Sequence, residues 1–534
     1  MRLWRKQSYH RVPALAVRGD VLRHALRTTT LAWMFGVIWL ATATGSHLKV
    51  FARGLGFSDL AFGILGALPF AGTFGQLIAS AIIERTGLVK YQFLHCATVH
   101  RLLWLAAAAV PLVFVVPSTA ATVALLTVIG ASWFFNALAA PAWLTWMGTM
   151  IPRRIRGRYF AQRERLAMLT QAAAVIALGV LIDWVYDPAG AAVQPAAMWM
   201  VSIILAVGAV LGTVDILLFG RIPEVVAGRD DPTDEQARRQ GFSFRGMILA
   251  PLADRSFRHY VLFAAMVTFS ATASNWYLWL NAMDNLGFGA LATNCLFLVI
   301  GPLTGIWAAG PLGKAIDRWG RRPILMLCTI GASLSLLPFF FAAADQTLWP
   351  GLADWLGWLL ATVGGWFGRP GWAVIDTTTP AGAYAICMIG CMIGGASWSG
   401  ISLAQMGIVL GFADGSGRSK YVAASSLVIS TGGVLGGVAG GLVTQQLAWL
   451  RVDPWQVGPF AWNQWHVALA IGVLTRSAAV AWLIGMTDAG STPVRTLARA
   501  LGSNAFNAAA TRLFYPLRVF GWQRARRGDD SRNN

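Results

Sequence analysis

Charged side chains with matching types and spacing occur in two short segments of the chain, residues 84–87 and 317–322. In each segment a carboxylate, Glu84 or Asp317, directly precedes an arginine and lies three residues before a glycine. A carboxylate at a helix end, close to guanidinium groups, can form charge-assisted hydrogen bonds that hold one conformation and are released in another. The chemistry that these residues favour is therefore reversible ion pairing.

The two segments lie at equivalent places in an internal duplication. Residues 80–87 and 313–320 are similar in sequence, and each closes a long apolar run and precedes another. Residues 156–159 and 417–421 form a second pair of similar segments, again at the same place in each half. A duplication of this kind predicts two halves with the same order of helices.

The composition indicates that these helices lie in a membrane. Hydrophobic residues make up 56% of the chain and charged residues only 12%, and the mean hydropathy is +0.57. Such a chain is too apolar to keep a soluble surface hydrated. The sequence therefore predicts an all-α membrane protein with twelve transmembrane helices in two pseudo-symmetric six-helix bundles, one for each apolar run of about 20 residues. The runs are 30–52, 59–83, 93–116, 120–147, 166–187, 196–220, 259–283, 289–312, 323–343, 382–410, 421–447 and 463–486.

The segments outside these runs complete the predicted domain organisation. An outer-side insertion at 344–381 contains an apolar stretch, but the basic loops before and after it require an even number of crossings between them. We therefore predict a re-entrant or interfacial segment there. The predicted parts are a basic cytoplasmic tail 1–29, a first bundle 30–220, a cytoplasmic linker 221–258, a second bundle 259–486 and a basic cytoplasmic tail 487–534. For this last tail there are two interpretations, an amphipathic segment associated with the membrane and a disordered segment.

The net charge of +19 indicates topology rather than a nucleic-acid partner. Lysine and arginine are concentrated in alternate loops and in both tails, whereas the other side has only Lys49, Arg53, Arg369 and Arg451. Because basic loops stay in the cytoplasm, we predict a multi-pass protein of the cell inner membrane with both termini in the cytoplasm. No foldable soluble domain carries a basic patch, so nucleic acid is not an expected partner.

The second charged segment resembles a known signature. Residues 313–322 read G-x-x-x-D-R-x-G-R-R between two helices, which is similar to the loop motif of the major facilitator superfamily of transporters. The resemblance implies a gate in which Asp317 caps and pairs with neighbouring helix ends when the transporter faces outward. The other implied motif positions are a glycine in a tight turn and three basic partners, namely Gly320, Arg318, Arg321 and Arg322.

The first copy keeps only part of this motif. Glu84, Arg85 and Gly87 match it, whereas Ser80 replaces the first glycine and residues 88–89 are Leu-Val in place of the arginine pair. The first half therefore departs from the gate motif, and for both loops charge anchoring without gating is the alternative. The superfamily also uses an arginine after the fourth helix of each half as a partner for the loop acid, and the matching residues are Arg158 and Arg418.

The resemblance further implies a central cavity lined mainly by helices 1, 4, 7 and 10. On these helices the chain carries neutral amides, hydroxyls and indoles. Amides can exchange paired hydrogen bonds with sugar hydroxyls, and an indole face packs on the apolar face of a pyranose ring. A neutral polyhydroxylated solute such as a sugar is therefore the predicted substrate, and helix packing by the same polar residues is the alternative. The candidate contacts are Asn136, Trp143, Asn275, Trp276, Asn281, Trp398 and Gln405.

Helix geometry limits this set. Asn275 and Asn281 are six positions apart, so on an α-helix they point about 120° away from each other. At most one of the two is expected to face the cavity squarely.

Other functions fit the sequence less well. A strongly anionic substrate would need an intramembrane cation near the cavity, and the sequence offers only Arg476, on a helix that the superfamily places at the periphery. Drug efflux is an alternative, although residues 172–180 lack the glycine-proline pattern of drug–proton antiporters. A membrane-embedded enzyme is not favoured, because the D-D-x-x-D aspartates at 230–234 fall in the linker and include a proline.

Titratable groups within the predicted helices are few. His47 and Asp284, near the outer ends of helices 1 and 7, are the candidates for coupling to a proton or sodium ion, and facilitated uniport is left open. No cofactor or metal is expected, because the five cysteines fall inside predicted helices without nearby ligands. We expect a monomer whose partners are the lipid bilayer and a small-molecule substrate.

The predicted topology can be tested with reporter fusions or cysteine accessibility. Because basic loops are retained in the cytoplasm, positions Arg229, Arg418 and Arg524 should report the cytoplasm. Positions Pro117 and Asp354 should report the other side. A cytoplasmic signal at Asp354 would contradict the twelve-helix prediction.

Overall fold

The computed structural model describes residues 8–9, 19–186, 193–225, 244–346, 381–412, 418–486 and 491. The first half contains α1 (Gly19–Ala43, continued as Ser46–Gly54), α2 (Asp59–Gly72, continued as Gly75–Thr86), α3 (Val89–Ala108), α4 (Thr119–Met150), α5 (Arg153–Asp183) and α6 (Pro195–Phe219). The second half contains α7 (Arg255–Leu280, continued by a π-helical turn at Asn281–Asn285), α8 (Ala290–Asn294, a π-helical segment at Cys295–Ile300 and Gly301–Trp319), α9 (Arg321–Leu334), α10 (Ala381–Phe412), α11 (Arg418–Gln446) and α12 (Gln464–Ile484).

The helices agree with the predicted apolar runs in number and order. Ten are long and apolar enough to cross a membrane, and the two parts of α1, bent by 44° at residues 44–45, make an eleventh. Helix α3 is the twelfth. It carries Lys90, His100 and Arg101 and is not among the helices that pass this test of length and hydropathy. The prediction of an all-α membrane protein built from two six-helix bundles is confirmed.

The ends of several helices differ from the predicted runs. Helix α5 begins at Arg153 and not near residue 166, so the segment predicted as a basic loop is helical. Arginine, glutamine and glutamate are good helix formers, and the helix therefore continues beyond the apolar run. Arg101, which falls inside the predicted run 93–116, lies buried in α3.

Short additional elements flank the helices. A parallel pair of strands joins β1 (Ser8–Tyr9) to β2 (Glu224–Val225), and an antiparallel hairpin of β3 (Trp455–Val457) and β4 (Phe460–Trp462) precedes α12. A ten-residue helix, Phe244–Ala253, leads into α7. Residues 226–243 of the predicted linker, residues 347–380 of the predicted insertion and, apart from residue 491, the C-terminal tail from 487 lie outside the described residues.

The connections between helices lie on two faces of the molecule, because successive helices alternate in direction. We call the side that carries the charged segments the basic face and the other side the opposite face. The basic face includes the turns at 87–88, 151–152 and Gly320, and the opposite face includes the loops at 55–58, 286–289 and 447–463.

Two rows of glycine on α11 bring this helix close to α2 and α7. A Cβ atom at Gly437 would lie 2.6 Å from the carbonyl oxygen of Gly63 on α2. A Cβ atom at Gly440 would lie 2.5 Å from the carbonyl oxygen of Ala273 on α7. Since real Cβ atoms do not approach so closely, glycine is required at both places. The tight packing of this helix therefore joins the second bundle to the first.

The packing core also extends between the halves near the opposite face. A cluster of buried side chains combines residues of the first half, such as Phe62 and Leu65, with Tyr277, Leu280 and Trp465 of the second. Burial of apolar area at roughly 25 cal/mol per Å² stabilises this junction. The two bundles are consequently held together at this face.

Candidate functional site

A cavity of about 1030 Å³ lies between the two bundles, near the middle of the helices. Its wall contains aromatic side chains from both halves, among them Trp104, Trp133, Trp276, Trp279 and Trp398. Cavities that bind small molecules are of this size and are mostly apolar with a few polar groups. The polar side chains in the wall belong to Thr44, Thr272, Ser274, Asn275, Ser335, Ser399, Ser402 and Arg476.

Three of the predicted substrate contacts line this cavity. They are Asn275 and Trp276 on α7 and Trp398 on α10. Asn275 is exposed, and both indoles are half-buried. The wall therefore combines an amide with two apolar ring faces, although substrate contact itself stays a prediction.

The other four predicted contacts are not among the lining residues. Asn281 is fully buried, and its Oδ1 accepts a hydrogen bond from Asn285 Nδ2 at 2.9 Å. As expected from the angle between them, only one member of the Asn275 and Asn281 pair faces the cavity. Asn136 and Gln405 are half-buried on α4 and α10, outside the cavity wall.

Trp143 takes part in an aromatic cluster away from the cavity. Its ring lies edge-to-face with Phe160, with centroids 6.2 Å apart. The Arg163 guanidinium lies 5.5 Å from the Trp143 centroid and 4.6 Å from that of Trp33. These contacts join α1, α4 and α5, so the position of Trp143 is explained by packing.

Helix α8 supplies lining residues that the sequence analysis did not select. Phe297, Gly301, Pro302, Gly305 and Ile306 all belong to the wall. They were missed because they are apolar and because the resemblance implied a cavity lined mainly by helices 1, 4, 7 and 10. The run of glycine and proline within a membrane helix is the sequence signal that indicates such a surface.

The structure corrects the expected place of Arg476. This arginine belongs to the cavity wall and is only 3% exposed, whereas the sequence analysis placed it at the periphery. Helix α12 packs against α7 and α9, and the long arginine side chain reaches the cavity between them. An anionic substrate was set aside on the basis of that peripheral position, and this reason no longer holds.

Ion pairs join the two halves at the opposite face. Asp284 at the end of α7 accepts hydrogen bonds from Lys49 Nζ and, at 3.0 Å, from Arg53 Nη2, both from the second part of α1. The side chain of Lys49 is fully buried and that of Asp284 is 10% exposed. Arg53 Nη2 also lies 3.6 Å from Asp59 Oδ1. Charges removed from water need such partners, so the network stabilises the closed arrangement of this face.

Further hydrogen bonds extend the same junction. Tyr277 Oη donates to the carbonyl oxygen of Asp59 at 3.0 Å. The backbone N–H of Ser46 donates to Asn294 Oδ1 at 2.9 Å, and the N–H of Leu291 donates to Asp183 Oδ2, also at 2.9 Å. The α5 carboxylate thus caps the N-terminus of α8 across the two bundles.

The two coupling candidates occupy this junction and not the cavity wall. Asp284 is the carboxylate of the ion-pair network. His47 is buried, with Nε2 at 2.5 Å from the carbonyl oxygen of Thr42. Its Nδ1 is buried without a hydrogen-bond partner among the described residues. Their role in coupling stays a prediction.

A second buried ion pair lies inside the first bundle. Arg101 Nη2 of α3 is 3.2 Å from Asp215 Oδ2 of α6. The guanidinium also lies 3.5 Å from the Trp39 ring centroid. Both charged groups are buried, so we interpret this pair as structural.

The structure describes the turn glycines of both charged segments and the side chain of Asp317. Gly87 and Gly320 have φ values of +63° and +92°, in the left-handed region that favours glycine. Asp317 is exposed and has no ion-pair partner among the side chains that the structure describes. Arg318 lies over Trp319, with 5.2 Å from Cζ to the ring centroid.

The remaining residues of the predicted gate are placed as follows. Arg322 Nη2 donates to the carbonyl oxygen of Ile484 at 2.8 Å, which joins the start of α9 to the end of α12. Arg321 is half-buried and Arg158 is exposed. The side chains of Glu84, Arg85 and Arg418 lie outside the described part of the structure.

Comparison with known proteins identifies the family. Residues 99–385, more than half of the chain, match the Major Facilitator Superfamily. The chain belongs to this superfamily of transporters, as its loop motif and its two six-helix bundles indicated.

Solved structures of low sequence identity share the fold. The chain is similar to the nucleoside transporter NupG, with a TM-score of 0.55, 13% identity, and coverage of 88% of this chain and 99% of the other. It is also similar to the inward-open xylose transporter XylE from E. coli, with a TM-score of 0.54, 12% identity, and coverage of 90% and 99%. At this level of identity the likeness concerns the fold alone.

One curated relative is similar over a short stretch. The tetracycline resistance protein, class B, of Escherichia coli is 44% identical over 70 residues, which are 13% of this chain and 16% of that protein. The match therefore covers only a small part of the relative.

The ion-pair network at the opposite face allows a direct test. Asp284→Asn should leave the buried Lys49 charge without its partner, at a cost of about 3–5 kcal/mol to the closed face. In a cysteine-free background, thiols at positions 60 and 445 should crosslink less in Asp284→Asn, because the Leu60 N–H and Gln445 Oε1 are 3.4 Å apart when this face is closed.

Lys49→Met is the matched control for this test. It removes the buried cation but leaves Asp284 paired with Arg53, so crosslinking should stay close to that of the parent. Equal crosslinking in the parent and in Asp284→Asn, both well expressed, would show that the network does not hold this face closed.

Proposed function

We propose that the chain carries a small polyhydroxylated solute, such as a sugar, across the cell inner membrane by alternating access. The observation that carries this proposal is the cavity between the two bundles, in which Asn275 and several hydroxyls alternate with indole rings. Such a wall can hydrogen-bond hydroxyl groups while it packs against the apolar face of a ring. Membership of the superfamily supports transport rather than enzymatic turnover.

The proposed orientation follows from the distribution of charge. The basic face lies toward the cytoplasm, with both termini on that side, because arginine and lysine in short loops favour cytoplasmic retention. The junction around Asp284 then closes the outer side of the cavity. In this orientation the described conformation corresponds to an inward-facing state, and the reverse state requires the junction to open.

The proposed gate on the cytoplasmic side is the segment around Asp317. In the outward-facing state its carboxylate pairs with arginines of neighbouring helix ends, for which Arg158 and Arg418 are the candidates. The exposed position of Asp317 in the described conformation is compatible with an open gate. Uptake by facilitated uniport and uptake coupled to an ion through His47 or Asp284 both fit this scheme.

Efflux of an apolar compound is the second candidate function. The observation in its favour is the aromatic character of the cavity wall, together with the short match to a tetracycline resistance protein. The two candidate functions differ in whether the transported substrate must carry hydroxyl groups. Uptake of labelled sugars and export of dyes, measured in proteoliposomes that contain the purified chain, separate them.

The substrate site is tested by substitution. Once a transported hydroxylated solute is found, Asn275→Ala should weaken its apparent affinity about 5- to 150-fold, because a lost buried hydrogen bond costs about 1–3 kcal/mol. Asn281→Ala is the matched control on the same helix, since its side chain is buried outside the cavity wall. An affinity within twofold of the parent for Asn275→Ala would overturn the proposed contact.

The gate is tested separately. Asp317→Asn should leave the protein folded but slow transport, because the outward-facing state loses charge-assisted hydrogen bonds worth roughly 1.5–3 kcal/mol. Crosslinking between positions 60 and 445 should rise as the population shifts toward the inward-facing state. If transport and crosslinking are both unchanged, the segment is a topology anchor.

A further inference from the structure

Arg476 is a buried cation of α12 that lines the central cavity. The Nε atom donates to Ser270 Oγ at 3.2 Å, and Nη1 donates to the carbonyl oxygen of Ala332 at 2.6 Å. These bonds attach the guanidinium to α7 and α9. Nη2 has no hydrogen bond with any residue that the structure describes, although the side chain is part of the cavity wall. The N–H groups of Nη2 are therefore available to a ligand.

Among the described residues, Arg476 has no carboxylate as an ion-pair partner. Lys49 and Arg53 face Asp284, and Arg101 faces Asp215. Within the described ranges no carboxylate lies within 4 Å of Arg476. A cation within the membrane is costly without a partner, and such residues mark substrate pathways. A counter-charge from the ligand would offset this cost.

Aromatic packing gives the site its shape. Cζ of Arg476 lies 5.2 Å from the centroid of the Trp398 ring, and Trp398 also lines the cavity. Ser270, the partner of Nε, in turn donates to the carbonyl oxygen of Gly472 at 2.7 Å. The guanidinium is thus fixed in orientation before a ligand enters, which reduces the entropy that binding must overcome.

We propose that Arg476 binds an oxyanion of the transported solute, so that the substrate is a hydroxylated acid and not a neutral sugar. A guanidinium group presents two parallel N–H donors to a carboxylate or a phosphate. The hydroxyl-bearing part of the solute lies against Asn275 and the indoles on the same wall. This inference rests on the proposed function only in taking the central cavity as the transport site.

The first arm of the experiment compares ligands on the unmodified protein. Glucose, glucuronate and glucose 6-phosphate share a ring and differ in charge, and benzoate carries a carboxylate without hydroxyls. We expect quenching of tryptophan fluorescence to give at least a tenfold tighter dissociation constant for glucuronate or glucose 6-phosphate than for glucose. The preferred member of this pair distinguishes a carboxylate from a phosphate. Equal affinity for all three, or a preference for glucose, would overturn the proposal.

The second arm assigns the preference to one residue. Arg476→Gln should remove the preference for the charged ligands, and Arg476→Lys should keep part of it, because lysine retains the charge but not the paired donors. Arg451→Gln is the matched control: this arginine also lies against an indole, 5.4 Å from the Trp465 centroid, but outside the cavity wall. If a folded Arg476→Gln variant keeps the preference for the charged ligands, the proposal is overturned, whatever the result for Arg451→Gln.

The two proposals fail in distinguishable ways. Binding of glucose with no effect of Arg476→Gln would support a hydroxylated substrate and reject the oxyanion site. Binding of benzoate that depends on Arg476, without binding of any of the sugars, would support the oxyanion site and reject the hydroxylated substrate.

Discussion

The contact between the two bundles at the opposite face is the constraint on which the rest of the structure depends. Asp284 forms ion pairs with Lys49 and Arg53 in a largely buried position. The glycine rows of α11 let this helix contact both α2 and α7. Packed interfaces of this kind favour discrete arrangements over continuous deformation. The cavity is bounded on that side by this junction, and solute exchange through it requires the junction to break.

The sequence predicted the fold well because the fold depends on long-range regularities. The prediction used apolar runs of membrane length, the alternation of basic loops and the repeated charged segment. Each of these features is defined by many residues, so an error at one residue does not change the predicted fold. The ends of individual helices were less predictable. The extension of α5 to Arg153 depends on local helix propensity in a polar segment, which hydropathy does not detect.

The site was predicted less completely, and the reasons are geometric. Asn275 and Asn281 have the same chemistry, yet one faces the cavity and the other is buried against Asn285, since rotation about the helix axis decides between them. Arg476 reaches the cavity because its side chain is long and passes between two neighbouring helices. A helix-by-helix assignment of lining residues cannot predict that. The proposal of a ligand with a ring, hydroxyl groups and a negative charge rests on the aromatic wall, the hydroxyls and this cation together.

The central claim is that the two faces of the cavity open in alternation. Spin labels at positions 60 and 445 report the opposite face, and labels at 145 and 314 report the basic face. In lipid nanodiscs, addition of a transported solute should change the two distance distributions in opposite directions, one pair lengthening as the other shortens. Distances that change together, or a change at one face alone, would contradict alternating access in this protein.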